Sequence, residues 1–200
     1  MIVDRLTTAD VSAATRTLAA AFADYPLVRA VAPDNRRAAA GAFCGMLVRY
    51  TAALGAAYAT ADRAAVACWL PPGHRALTTR GQVHAGVVTL ARELGVRGAV
   101  LMWRLERQFD RARHGHVPGP HWYLPLLGVD PAARRRGLAR AVLRPVLASA
   151  DRDGLPCYLE TQDEANLPVY ARLGFAVVGR RRVAGGLRNW ELSRASGGTA

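Results

Sequence analysis

Residues 122–150 read WYLPLLGVDPAARRRGLARAVLRPVLASA, and a stretch of this kind can fold in few ways. The apolar run WYLPLLGV has the length of a buried strand and is closed by Asp130–Pro131. Four arginines (Arg134, Arg135, Arg136 and Arg140) then gather about Gly137. GLARAVLRPVLASADRDG continues as a helix, with Leu138, Val142 and Val146 on one stripe. Pro145 inside that helix removes a hydrogen bond and predicts a kink. Strand, tight turn and helix in this order put consecutive N–H groups, unpaired within the helix, at the positive end of its dipole. Such a turn binds phosphate, and Gly137 lets the backbone come close to it. On their own, the arginines have a second reading as a solvated or nucleic-acid-binding surface.

The flanking segments alternate in type. MIVDRL reads as a first strand, and TTADVSAATRTLAAAFADYP as a helix that stops before Pro26. NRRAAAGAFCGMLVRYTAAL gives a second helix. AAYAT and AAVACWL give short strands, the latter closed by Pro71, Pro72 and Gly73. Residues 76–113 read as two helices jointed near Gly95–Gly98, and HGHVPGPHW as a loop carrying His114 and His116. After the central stretch, PCYLET is a strand and NLPVYARLG a short helix. FAVVGRRRV and LRNWELS form a closing strand pair. The order predicts a mixed α/β domain over residues 1–194, with 73–120 inserted as a helical lid over a substrate pocket and 195–200 as a flexible tail.

Composition removes several chemistries. The chain has 27 basic residues against 15 acidic ones and a net charge of +12, and every basic residue is arginine. Without lysine there is no GxxxxGK[ST] phosphate loop and no Schiff-base catalysis. An apolar fraction of 51% and a charged fraction of 21% are those of a globular domain. Cys44, Cys68 and Cys157 lie among apolar neighbours without metal-ligand spacing and read as small core residues, with Cys157 held in reserve as a nucleophile. His114 and His116 have no partner at ligand spacing, so no metal is expected. No apolar run reaches a membrane span and no signal-peptide layout opens the chain, which predicts a cytoplasmic protein with no membrane partner.

The spacing Arg-x-x-Gly-x-Ala at Arg134–Ala139, behind a strand ending in LLGVDP, resembles the [QR]-x-x-G-x-[GA] signature of the GNAT acetyltransferase superfamily. Downstream, ETQDEANLPVYARLGF at 160–175 resembles its closing motif. Within that superfamily, RTLAAAFADYP at 16–26, AVACW at 65–69, GVDPAARRRGLARAV and LET…NLPVYARLGF look like puromycin N-acetyltransferase and its relatives. The likeness is weakest across 73–118, where substrate choice would be made.

The resemblance implies a mostly antiparallel central sheet with splayed middle strands and helices on both faces, acetyl-CoA as co-substrate, and a small-molecule amine as acceptor. It assigns the pyrophosphate to Arg134, Arg135, Arg136, Gly137, Leu138, Ala139 and Arg140. Leu127, Gly128 and Val129 would meet the pantetheine arm and the thioester carbonyl, with Asn166 as a polar contact on the cofactor side. Tyr170 matches the family's general acid. The attacking amine must be neutral, so a proton acceptor is needed. Glu160 in YLET is the first candidate, with Asp24 or water as alternatives. Tyr25, Trp69 and His121, with Asp24, are candidate walls of the acceptor pocket. The rival readings are an arginine-rich nucleic-acid-binding protein and a non-catalytic acyl-CoA-binding relative. No aromatic residues interleave the basic runs at 134–144 and 180–182, which argues against specific nucleic-acid binding. A monomer and a homodimer are both compatible with the sequence.

Overall fold

The computed structural model describes residues 1–74 and 86–197. A seven-stranded sheet runs through it, built from β1 (Val3–Arg5), β2 (Ala57–Thr60), β3 (Ala65–Leu70), β4 (Trp122–Val129), β5 (Cys157–Thr161), β6 (Ala176–Arg182) and β7 (Arg188–Arg194). The order is β1-β2-β3-β4-β5-β7-β6, and every neighbouring pair is antiparallel except β4 with β5. The mixed, mostly antiparallel sheet agrees with the sequence expectation. Helices α1 (Val11–Phe22), α2 (Pro26–Val31), α3 (Arg36–Ala53) and α4 (Val87–His116) precede β4. Helix α5 (Leu138–Arg152) lies between β4 and β5, and α6 (Leu167–Ala171) between β5 and β6.

Two apolar layers cover the sheet, one on each face. Leu18, Phe43, Leu47, Met102, Leu105 and Phe109 pack with Val66, Cys68 and Leu126. Val142, Leu143, Val146 and Leu147 pack on the other face with Ala67, Trp69, Leu124 and Leu159. All three cysteines are free and buried, as expected of core residues.

Four local features depart from or refine the sequence reading. Pro26 does end α1's run, but it also opens α2 as its first residue, because a fixed φ and a missing N–H cost nothing at that position. Helix α4 is two helical pieces joined at Gly95 (φ 63°, ψ 177°), the joint the sequence suggests, while residues 75–85 of the expected 73–120 insertion lie outside the described residues. Its second piece runs on to His116, so His114 and His116 sit in a last helical turn and not in a loop. Basic side chains there lie beside the open carbonyls of the helix end. The helix around Pro145 continues unbroken from Leu138 to Arg152.

Helix α4 crosses the end of α2 at Gly98, where a Cβ atom would collide with the Val31 carbonyl oxygen. Among the described residues no helix is long and apolar enough to cross a membrane.

Candidate active site

Strands β4 and β5 pair only at Trp122–Cys157 and Tyr123–Tyr158. Beyond that point both continue, β4 to Val129 and β5 to Thr161, without pairing to each other. The cause lies in β4. Its register against β3 shifts between Cys68–Leu126 and Leu70–Tyr123, so an extra β4 residue is accommodated there. Leu124 and Leu126, two positions apart, therefore pack on opposite faces of the sheet. Pro125 lies in this bulge, where its missing N–H takes no bond from the ladder. A cleft of about 1060 Å³ opens where the strands part.

At one end of the cleft lie Arg134, Arg135, Gly137, Leu138, Ala139 and Arg140. Asp130 shapes the approach by accepting a hydrogen bond from the Ala132 N–H at 2.9 Å. Arg135 (φ 63°) and Gly137 (φ 75°) are both left-handed, which turns successive N–H groups toward one side. No side chain caps α5 at Gly137, and nothing lies within 4 Å of a Cβ built there. The first-turn N–H groups of a 15-residue helix are thus left for an outside acceptor. Arg136 stands apart from the other arginines. It is not among the residues lining the cleft, and its charge acts on Asp62.

Leu127, Gly128 and Val129 also line the cleft, paired on one side to Ala67, Val66 and Ala65 and free of β5 on the other. Gly128 has a second duty. A Cβ there would come within 2.6 Å of Leu18 Cδ2 and 3.1 Å of Ala21 Cβ, so the glycine lets α1 lie directly on the strand.

Glu160 lies two positions past the last β4–β5 pair and lines the cleft. Burial pushes its carboxyl up to about 8, with the neighbouring Tyr123 hydroxyl and the Arg113 guanidinium pulling it down and Glu106 adding to the rise. Its Oε1 is buried without a hydrogen-bond partner. Tyr170, from α6, enters the same cleft with its ring edge-on to Phe175 at 6.0 Å. Burial raises its phenol well above the ordinary range, and the nearby Tyr25 adds to this, so it keeps its proton at any working pH. Asn166 lines the cleft as well and donates to Thr161 Oγ1 at 3.2 Å.

Of the four candidate pocket walls only Tyr25 lines the cleft. Its hydroxyl accepts from the Gln162 N–H at 2.9 Å and lies 2.9 Å from Thr161 Oγ1, tying the end of α1 to the end of β5. Asp24, next to it, faces outward, pairs with Arg36 at 2.8 Å and does not line the cleft. Trp69 is fully buried on the α5 face, edge-on to Trp122 at 6.3 Å. His121 packs against Tyr158 outside the lining, with Nδ1 2.7 Å from the Gly119 carbonyl.

The structure brings in residues that the sequence reading passes over: Glu106, Arg113 and Tyr123. Arg113 pairs with Asp110 and stacks over the Tyr123 ring at 4.4 Å. The only sequence signal for Glu106 is its place beside the Met102–Leu105–Phe109 stripe of α4. Cys157 is fully buried and its thiol is pushed up to about 12 by desolvation, which leaves no thiolate for nucleophilic attack at neutral pH. His116 lies 3.2 Å from the buried Glu191 carboxylate.

A model of the Acetyltransferase (GNAT) family matches residues 56–175. An uncharacterised N-acetyltransferase of Schizosaccharomyces pombe is 37% identical over 54 residues, which are 27% of this chain and 22% of that protein. The N-alpha-acetyltransferase RimI of Mycobacterium tuberculosis is 41% identical over 73 residues, 36% of this chain and 45% of that protein. The similarity thus spans less than half the length of either relative. Among solved structures, a histone acetyltransferase HPA2-related acetyltransferase from Corynebacterium glutamicum superposes with a TM-score of 0.67 at 22% identity, covering 97% of this chain and 95% of that one, a likeness of fold. With the family model covering both the arginine turn and the Tyr170 helix, the chain belongs to the GNAT acetyltransferase family.

Proposed function

We propose that this chain transfers the acetyl group of acetyl-CoA to the primary amine of a small molecule, and that the acceptor is an antibiotic or a biosynthetic precursor. The role would be self-resistance or biosynthesis in the cytoplasm, as a monomer or homodimer, without a specific nucleic-acid partner. One observation carries the reading. A single cleft is bounded by the uncapped arginine turn at one end and by Glu160 and Tyr170 where β4 and β5 part.

The residues fit acetyl-CoA. The open N–H groups of α5, with Arg134, Arg135 and Arg140, suit a pyrophosphate. The free edge of Leu127–Val129 suits a pantetheine arm laid along it as an added strand. When bound, acetyl-CoA supplies an activated acetyl group. Backbone N–H groups on that edge stabilise the negative charge that grows on the thioester oxygen. Glu160, in its ionised form, takes the proton from the attacking amine, and Tyr170 gives one to the departing thiolate. Glu160 and Tyr170 thus divide base and acid work because burial acts differently on them. It brings a carboxyl close to neutral pH and keeps a phenol fully protonated.

The test is release of free thiol from acetyl-CoA across a panel of primary-amine antibiotics and simple amines. Turnover with one amine class and none without amine supports the reading. Binding of acetyl-CoA with no turnover on any amine would overturn it.

A further inference from the structure

Resting on that reading, the arrangement of charge in the acceptor half of the cleft narrows the substrate class. Six residues separate Tyr123 from the strand end at Val129, about 20 Å of extended chain, so the Tyr123 end lies far from the phosphate-binding turn. At that end stands Glu106, on the lid helix α4. Arg113, two turns further along α4, stacks over the Tyr123 ring, so this stretch of the helix lies beside β4, and the charge of Glu106 raises both Glu160 and Tyr123. Its carboxyl is open to the cleft and makes no hydrogen bond or ion pair among the described residues.

The charges near Glu106 are already engaged. Arg113 is held by Asp110 and by the face of Tyr123. Asp163, further along the lining, accepts the Ala165 N–H at 3.0 Å. The walls between are apolar and aromatic: Phe22, Tyr25, Met102, Phe109 and Tyr123. Glu106 is exposed to the solvent that fills the cleft, so its carboxyl is available to a cation on an occupant held between these walls. The surroundings sharpen the point. In a chain of net charge +12, Glu106 and Glu160 both line this end of the cleft.

We propose that Glu106 is a specificity-determining residue that binds a second cationic group on the acceptor, so that the preferred substrate is an amine with an apolar or aromatic body and a positive charge at its far end. One amine faces Glu160 and is acetylated. The other stays protonated against Glu106 and holds the body across the aromatic walls. No proton or bond changes at the Glu106 end.

Two matched series test this without assuming a span. One is p-xylylenediamine, 4-methylbenzylamine and 4-(aminomethyl)benzoate. The other is 1,8-diaminooctane, octylamine and 8-aminooctanoate. Two quantities are read for the wild type and for Glu106→Gln and Glu106→Arg: kcat/KM from thiol release, and amine affinity by calorimetry with CoA present. In the wild type, the diamine of at least one series should exceed its neutral-ended analogue by roughly tenfold or more, the usual worth of a charge-assisted hydrogen bond. Glu106→Gln should collapse that ratio to near one, and Glu106→Arg should invert it toward the amino acid. Circular dichroism and acetyl-CoA affinity confirm that the variants are folded.

A wild type that favours the neutral-ended analogues, or a diamine preference that survives Glu106→Gln, overturns the proposal while leaving the amine acceptor intact. If no amine binds or turns over although acetyl-CoA does bind, the acceptor reading falls and this proposal falls with it.

Discussion

Replacing Glu160 with glutamine tests the base at a single atom, because the amide keeps the shape of the carboxyl and loses only its ability to take a proton. The wild-type behaviour follows from the burial that raises this carboxyl to about 8. About one side chain in eleven is ionised at pH 7 and about ten in eleven at pH 9, so the chemical step should quicken about tenfold between those pH values. Single-turnover rates, measured by rapid quench with enzyme in excess of acetyl-CoA and the amine saturating, read that step and not product release. The plot of log rate against pH should rise with unit slope below 8 and level above it. Glu160→Gln should lower the plateau by roughly 10²–10⁴-fold and remove the rise.

Stability moves the opposite way, and the sign can be worked out. The folded state holds the Glu160 proton up to about 8, whereas the ordinary carboxyl value is 4.5. Between these values the folded protein binds more protons than the unfolded one, so this group's contribution to stability falls as pH rises. Glu160→Gln lacks that loss, and its melting temperature should gain on the wild type from pH 5 to 8. A single-turnover rate that is flat from pH 6 to 9, or a variant that keeps the rise, would refute Glu160 as the base.

Three further outcomes are expected. Tyr170→Phe keeps the ring and its packing against Phe175 but should lower the single-turnover rate by roughly 10²–10⁴-fold with acetyl-CoA affinity retained. A near wild-type rate would make Tyr170 a packing residue. Gly137→Asp puts a negative side chain on a left-handed backbone (φ 75°) at the open end of α5 and should weaken acetyl-CoA binding by roughly tenfold or more in calorimetry. Gly98→Ala drives a methyl group into the Val31 carbonyl where α4 crosses α2, and chemical denaturation should show a loss of about 1–3 kcal/mol.

Much of this protein was legible along the chain because its signals are local. The strand, turn and helix at 122–152 announce themselves through an apolar run, an Asp-Pro stop, a glycine among arginines and a helical stripe, all within a few residues of one another. The same holds for Tyr170 and Asn166, whose motif lies on one short helix and its approach. What the chain could not declare is direction. AVACWL is buried at all six positions, so no alternation says which face Trp69 takes, and pairing alone sends it to the α5 side away from the cleft. Asp24 and Tyr25 are neighbours in sequence, yet the turn out of α1 sends one to Arg36 in solvent and the other to Thr161. The bulge at Pro125 arises from how many β4 residues face two on β3, a property of the pair and not of either strand. Glu106 is read in sequence as one charge on an amphipathic helix. Only when α4, jointed at Gly95 and seated on α2 at Gly98, lies beside β4 and β5 does that charge meet Glu160. Local chemistry determined the elements and the uncapped arginine turn. The far end of the cleft was left to tertiary packing, since its residues come from segments far apart in the chain and face one another only through the fold.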